Sequence, residues 1–251
     1  RMPYHTNPLP LATIFYLWAL VRLWDKKPFS VFLAGLAWSF LFGFELSVFP
    51  TILVVPWVLW RTRQWQPILQ QVLKFGAGLG LGLWPQLLYD LTHNFSQVGL
   101  FLVWTAYRIL SLFGGEHSAS LGKFSDVGER FWHYGGRIFS TDQKEITLVA
   151  SFLLGFALLT LFKKWRAGTV KPAWEVIAAV TGLLTLGYVM HGSPSEAYFP
   201  PYIILLPLLV AFSLVQIFKK RVGILIFLLL VWGALSGRSV FIHNFFVSNS
   251  Q

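Results

Sequence analysis

Side chains that could exchange protons or hold an anion are concentrated in a few short polar segments between long apolar runs. Each segment borders a different run, so helices packed side by side would bring the segments to one end of a bundle. Arg130 and Arg137 extend the set of basic side chains in these segments. The residues expected to bind a ligand in one shared cavity are Arg1, His5, Asn7, Glu45, His93, Asn94, Arg108, Glu196 and Tyr198.

Several familiar chemistries lack their motifs in this chain. The six histidines show no HExxH spacing and the chain has no cysteine, so we expect neither a metal site nor a bound cofactor. No GxSxG motif supports hydrolysis by a serine nucleophile. The alternating glycines at Gly76, Gly78, Gly80 and Gly82 resemble a phosphate loop, but no Gly-Lys-Ser/Thr follows them. Close packing of membrane helices is the preferred interpretation of these glycines.

The composition indicates a membrane environment for the elements that position these residues. Hydrophobic residues make up 55% of the 251 and charged residues only 12%, against about 25% charged in a soluble domain. A protein of this size could not hide so much apolar surface in its core. The formal charge of +10 would suggest a nucleic-acid partner in a soluble protein. Basic residues at the ends of membrane spans report orientation instead, so we expect no nucleic-acid partner.

Eight apolar runs are long enough to be considered as helices in a membrane, where a span takes about 20 residues. One of them, residues 29–60, would be too long as a single straight helix. Glu45 and Pro50 interrupt it, so we predict two short helices with a turn between them. The runs are residues 9–24, 29–60, 68–89, 98–113, 146–162, 173–190, 198–218 and 222–236.

The distribution of charge predicts how these runs are oriented. If every run except 98–113 reverses direction, one face collects 13 basic residues and only two acidic ones, Asp25 and Glu175. That face is cytoplasmic by the positive-inside rule. If residues 98–113 crossed the membrane, the later basic clusters at 163–166 and 219–221 would lie on the outer face instead. We therefore place this run on the outer surface as an interfacial helix. The basic residues are Arg22, Lys26, Lys27, Arg61, Arg63, Lys74, Lys163, Lys164, Arg166, Lys171, Lys219, Lys220 and Arg221.

The expected fold is therefore an all-α polytopic membrane protein with about seven short transmembrane helices and one interfacial outer helix. Residues 1–251 form a single transmembrane domain fragment, and residues 91–145 form an extracytoplasmic insertion of the interfacial helix and a polar loop, 114–145. The expected location is the plasma or inner membrane, with the candidate site on the extracytoplasmic face. Because Arg1 is not a methionine and no signal peptide follows, we expect the chain to begin inside a longer protein.

Four segments resemble GT-C-fold glycosyltransferases of the family 39 type, which include protein O-mannosyltransferases and aminoarabinose transferases. RMPYHTNPLP is similar to an outer-face segment before a mid-chain span, and residues 32–60 to a glycine-rich helical hairpin. PQLLYDLTHNF resembles a helix-to-loop junction, and EAYFPP resembles the start of a late span. The hairpin position held here by Glu45-Leu46 commonly contains Gln or His in that family.

The resemblance implies transfer of a sugar from a polyprenyl-phosphate-linked donor to an acceptor at the extracytoplasmic face. The partners would be membrane lipid, the lipid-linked sugar and an unidentified acceptor. The chain would be a C-terminal portion of the enzyme, because the catalytic acidic residue of the family lies in the first outer loop, upstream of Arg1. The catalytic residue is therefore unknown within this chain. Two alternatives stay open, namely a polytopic transporter or lipid flippase and a non-catalytic membrane assembly subunit.

Overall fold

A computed structural model describes residues 8–112, 124–139, 144–191 and 199–218. Helices form all the regular secondary structure of these residues, which contain no strand, so the prediction of an all-helical fold is confirmed for them. The elements are α1 (Leu9–Trp24), α2 (Ser30–Phe44), a 3₁₀ segment (Leu46–Leu53), α3 (Val54–Arg61), α4 (Ile68–Gly82), α5 (Trp84–Thr92), α6 (Ser96–Leu112), α7 (Phe124–Phe139), α8 (Lys144–Arg166), α9 (Pro172–His191) and α10 (Tyr202–Ile217).

The second apolar run is interrupted at Glu45, as the sequence predicted. Glu45 has extended backbone angles, φ −155° and ψ 118°, which end α2. The following residues form the 3₁₀ segment with Pro50 inside it, where the missing N–H of proline disfavours a regular α-helix. The turn expected between two short helices is thus an eight-residue 3₁₀ segment.

The third apolar run, predicted as one span over residues 68–89, is divided into two helices. α4 ends at Gly82 and α5 begins at Trp84, with Pro85 in its first turn. Proline is favoured there because the first N–H groups of a helix have no helical partner, whereas in mid-helix it removes a hydrogen bond. The expectation of a single helix over this run was therefore wrong.

The chain divides into two compact units that alternate along the sequence. The first contains Arg1–Gly128 and Val170–Pro201, and the second contains Glu129–Thr169 and Tyr202–Gln251.

Small residues set the packing of α2 against α4 in the first unit. A Cβ added to Gly35 would meet the Phe75 carbonyl oxygen, and one added to Gly78 would meet the Phe32 carbonyl oxygen. The two backbones therefore approach each other as only glycine permits. This contact confirms that Gly78 serves helix packing.

Contacts with three helices hold the 3₁₀ segment in the first unit. The Tyr16 hydroxyl donates to the Thr51 carbonyl oxygen at 2.7 Å, and Trp38 Nε1 donates to Thr51 Oγ1 at 3.2 Å. On another side, a Cβ at Gly187 of α9 would meet the Ser47 carbonyl oxygen. The 3₁₀ segment is thus fixed by α1, α2 and α9.

In the second unit, α8 packs against α10 through polar contacts within an otherwise apolar interface. Ser213 Oγ donates to the Leu153 carbonyl oxygen at 2.6 Å, and Lys164 Nζ donates to Gln216 Oε1 at 2.9 Å. α7 lies within the segment that the sequence analysis described as a polar loop. From Glu129 onward it belongs to the second unit, where Gly136 faces Thr147.

Two described helices, Glu145–Arg166 and Pro172–Val189, are long and apolar enough to cross a membrane. In their most apolar 18-residue windows, 28% and 39% of the residues are buried within the protein, so neither helix is mostly buried. Four apolar helical segments are shorter. They are Leu9–Trp24, Ser30–Phe44, Leu46–Arg61 (the 3₁₀ segment together with α3) and Tyr202–Ile217. Sixteen residues of helix extend about 24 Å, less than the 30 Å or so of a bilayer core. The count of seven spans stays a prediction, and its last run, 222–236, lies outside the described residues.

Candidate functional site

The structure describes the side chains of three of the nine candidate residues, namely Glu45, His93 and Asn94. It places Arg108 on α6 without describing that side chain. The other five candidates lie outside the described residues, and these are Arg1, His5, Asn7, Glu196 and Tyr198.

One end of the first unit collects basic residues, and we call it the basic end. Arg61 Nη2 lies 2.8 Å from Glu175 Oε1, which joins the end of α3 to the start of α9. The Arg61 guanidinium also lies 6.0 Å from the ring centroid of Trp24 at the end of α1. Gln64 Nε2 donates to the Leu23 carbonyl oxygen at 2.9 Å. These contacts bring together three helix ends that the charge pattern predicted to share the cytoplasmic face.

Glu45 is near the opposite end of α9. Gly187, which packs against Ser47, lies twelve residues beyond Glu175. Twelve residues of α-helix correspond to about 18 Å. The break at Glu45 is therefore well separated from the basic end, and we call its surroundings the break end.

Glu45 itself is buried, with 7% of its surface exposed. Its carboxylate accepts a hydrogen bond from the Ser47 backbone N–H at 3.1 Å, which caps the 3₁₀ segment. A carboxylate is favourable at this position because the first N–H groups of a helix lack helical partners and carry partial positive charge. The local fold thus uses the Glu45 side chain as a cap, whatever else the residue does.

Aromatic rings connect α6 to the same break end. The Phe101 ring meets the Phe42 ring edge-on, with centroids 5.3 Å apart, and meets the Phe49 ring similarly at 5.7 Å. Phe42 lies one turn before the break and Phe49 lies within the 3₁₀ segment. α6 therefore begins beside the interruption that Glu45 creates.

His93 and Asn94 follow the last turn of α5, and both side chains are exposed. His93 Nδ1 lies 2.9 Å from the Tyr89 carbonyl oxygen and 2.9 Å from Thr92 Oγ1. Its ring stacks on the Tyr89 ring, with centroids 3.9 Å apart and an interplanar angle of 7°. Asn94 has a positive φ of 54°, which asparagine tolerates better than most residues. The helix end thus fixes the orientation of the imidazole.

Asp90 is the residue near this site whose role the sequence analysis missed. It is only 2% exposed, and its Oδ2 accepts from the Val98 N–H at 2.9 Å in the first turn of α6. The Asp90 carbonyl oxygen accepts from the Phe95 N–H at 2.8 Å. Asp90 therefore closes the α5–α6 turn that carries His93. An acidic residue shortly before a new apolar run was the available signal for such a cap.

The ends of α2 and α5 are neighbours, because a Cβ at Gly43 would meet the side-chain amide of Gln86, one turn before Asp90. Glu45 is nevertheless buried while His93 and Asn94 are exposed. In the described ranges, no hydrogen bond or ion pair joins Glu45 to either of them. The structure brings all three to the break end, and their convergence on one cavity stays a prediction.

Other features of the described residues offer no better site. A small apolar cavity in the second unit is lined by residues that include Phe131, Phe139 and Leu206, and no candidate residue lines it. Among the residues that the structure describes, no group of three His, Asp or Glu side chains is placed to hold a metal ion.

No known protein family, curated protein or solved structure matches this chain. Its function is therefore inferred from the residues and their geometry.

Proposed function

We propose that this chain is part of a multi-pass membrane glycosyltransferase, which transfers a sugar from a polyprenyl-phosphate-linked donor to an acceptor at the extracytoplasmic face. The observation that carries the proposal is the separation of two ends in the first unit. Arg61 and Glu175 lie at the basic end, and the break at Glu45 lies near the opposite end, beside the segment of His93. A protein oriented by positive charge would expose that segment on the outer side.

The lengths of the helices suit a lipid-linked donor. α2 has 15 residues and would extend about 22 Å, which is shorter than a bilayer core of about 30 Å. Its outer end would leave room beside it for apolar lipid, close to the level at which a lipid phosphate resides. Exposed side chains such as Leu81 near the C-terminal end of α4, 60% accessible, would face the lipid tails.

In the proposed reaction, a bond forms between the acceptor oxygen and the anomeric carbon of the sugar. The bond from that carbon to the phosphate oxygen breaks, and polyprenyl phosphate leaves. An acidic base from an upstream loop takes the proton of the acceptor hydroxyl. Arg108 and Arg1 would hold the phosphate by charged hydrogen bonds, while His93 and Asn94 orient the sugar.

A lipid flippase or transporter is the second candidate. The interruption of α2 at a buried carboxylate favours it, because transporters bind their substrates at broken helices. This alternative predicts movement of the lipid across the bilayer without any transfer of sugar.

Binding of defined lipids to the full chain in nanodiscs tests the proposal, with native mass spectrometry as the measurement. We expect retention of polyprenyl-phosphate-linked mannose and polyprenyl phosphate, and much weaker retention of the uncharged polyprenol. Replacing Arg108 with Gln should weaken retention of both phosphate lipids by about tenfold or more, the scale of a charged hydrogen bond. The matched control is Arg63→Gln at the basic end.

Equal retention of polyprenol and polyprenyl phosphate would contradict the proposal, as would equal weakening by Arg63→Gln. Vesicles carrying a fluorescent polyprenyl phosphate then distinguish the second candidate, because only a flippase would move this lipid between leaflets.

A further inference from the structure

The environment of His93 determines which of its ring nitrogens carries the proton. Nδ1 is 2.9 Å from the Tyr89 carbonyl oxygen, which can only accept a hydrogen bond. The second neighbour of Nδ1 is Thr92 Oγ1, also at 2.9 Å. The Thr92 hydroxyl has carbonyl acceptors for its hydrogen, the Tyr89 oxygen at 2.8 Å and the Leu88 oxygen at 3.3 Å. When the hydroxyl donates to either carbonyl, an oxygen lone pair remains to accept from the imidazole. Both neighbours of Nδ1 therefore accept, and the proton of the neutral ring lies on Nδ1.

The end of α5 explains why these acceptors are present. The Tyr89 carbonyl would accept from the His93 N–H in a continuing helix, but that N–H bonds the Asp90 carbonyl oxygen at 3.2 Å. The Tyr89 carbonyl is thus one of the helix-end groups that need another donor. The Thr92 hydroxyl and the imidazole of His93 both lie within donating distance of this oxygen, and stacking on the Tyr89 ring holds the plane of the imidazole.

The opposite nitrogen, Nε2, then has a lone pair directed away from the helix end. The His93 side chain is exposed, and within the described ranges no hydrogen bond reaches Nε2. A neutral nitrogen with a lone pair accepts from hydroxyl and amide donors, whereas it repels the anionic oxygens of phosphate. The geometry therefore selects the chemistry of any group that binds there.

We infer that His93 uses Nε2 to accept a hydrogen bond from a hydroxyl group of the donor sugar. This inference rests on the proposed function. In it, His93 binds the sugar of the donor, whereas the arginines bind its phosphate. The Nδ1 contact alone would serve as a helix cap, so the test needs a measurement that capping would not change.

The tautomer can be measured directly on the full chain labelled with ¹⁵N-histidine, in mildly alkaline buffer where a free imidazole is neutral. Loss of one resonance pair in His93→Gln assigns the signals. We expect the Nδ1–H form in the wild-type protein and a smaller Nδ1–H fraction in Thr92→Val. The matched control is Thr62→Val, which removes a similar threonine-to-carbonyl bond at the end of α3. A proton on Nε2 in the wild type, or equal spectra for the two valine variants, would overturn the inference.

Lipid binding in nanodiscs measures the recognition step. His93→Phe keeps a flat ring against Tyr89 but has no nitrogen, while His93→Gln keeps an acceptor oxygen near the position of Nε2. We expect His93→Phe to weaken retention of polyprenyl-phosphate-linked mannose by about tenfold, the upper range for one neutral hydrogen bond. Retention of sugar-free polyprenyl phosphate should be unchanged, and His93→Gln should restore most of the loss.

Equal weakening for both lipids, or no weakening for either, would refute the role of His93. If the wild-type chain shows no phosphate-dependent retention at all, the proposed function fails, and the tautomer measurement still decides the assignment of Nδ1.

Discussion

At the scale of single residues, Glu45 combines two properties that usually conflict. It is an ionisable side chain with 7% exposure, and it stands within an apolar stretch of the chain. Burying a carboxylate costs free energy unless hydrogen bonds replace its hydration. The Ser47 N–H supplies one such bond at 3.1 Å. An acceptor oxygen at residue 45 therefore has a structural role, and any role of Glu45 in binding would be additional.

Glu45→Ala should lower the free energy of unfolding, because the Ser47 N–H loses its acceptor. The expected loss is about 0.5–2 kcal/mol, the range for removal of a helix cap. Glu45→Gln keeps an acceptor oxygen without a charge, so its stability should equal or exceed that of the wild type. Thermal unfolding in one detergent measures both variants, with Glu129→Ala on the exposed face of α7 as the control. An unchanged melting temperature for Glu45→Ala would show that the cap is dispensable.

The sequence indicated that His93 and Asn94 follow a helix end, but it did not indicate which atoms these side chains contact there. Their position after PQLLYD was readable as a helix end because a polar cluster follows an apolar run. The tautomer of His93 depends on two distances to acceptors, and the burial of Asp90 depends on where α6 begins. These distances depend on the conformation of the chain at the end of α5 and in the α5–α6 turn, which the pattern of residue types and their spacing does not specify.

At the scale of elements, the glycines of α4 have two different environments. Gly78 faces the backbone of α2, whereas Gly80 has no atom within 4 Å of an added Cβ. The sequence showed four alternating glycines and predicted helix packing, but it could not identify which of them make the contact. That distinction depends on the rotation of α4 about its axis.

Gly78→Ala and Gly80→Ala should therefore change stability in opposite directions. The methyl group at residue 78 would press on the Phe32 carbonyl, and overpacking of this kind costs about 1–3 kcal/mol. The methyl group at residue 80 meets open space, and alanine improves helix propensity by up to about 1 kcal/mol. The measurement is the free energy of unfolding in the same detergent. Similar values for the two variants would argue against the close contact of α2 and α4.

Helix bounds were predictable where polar or proline residues flank an apolar run. The run 9–24 matches α1 (Leu9–Trp24), and the break at Glu45 was placed correctly. α7 was not recognised, because its Gly135–Gly136 pair and its charged residues resemble a loop. The available signal was the helical spacing of Phe124, Val127 and Phe131 on one face.

At the scale of the whole molecule, the charge pattern makes a prediction about topology that needs no assumption about activity. The chain has no cysteine, so single cysteines report their own positions. Ser118→Cys and Ser195→Cys should react with an impermeant maleimide on intact cells. Thr62→Cys and Gly168→Cys lie beside the basic clusters that we predict to be cytoplasmic, and they should react only after permeabilisation. Labelling of residues 62 or 168 in intact cells would overturn the orientation.

The alternation of the two units along the chain has a consequence for synthesis. Gly187 and Glu175 belong to the first unit, yet they are translated after α8, which belongs to the second. Until α9 emerges from the ribosome, the backbone around Ser47 lacks the neighbour that covers it, and Arg61 lacks its counter-ion. The first unit therefore cannot fold completely during elongation until α9 has been translated. A nascent chain arrested before residue 172 should be a better substrate for chaperones and proteases than the full chain.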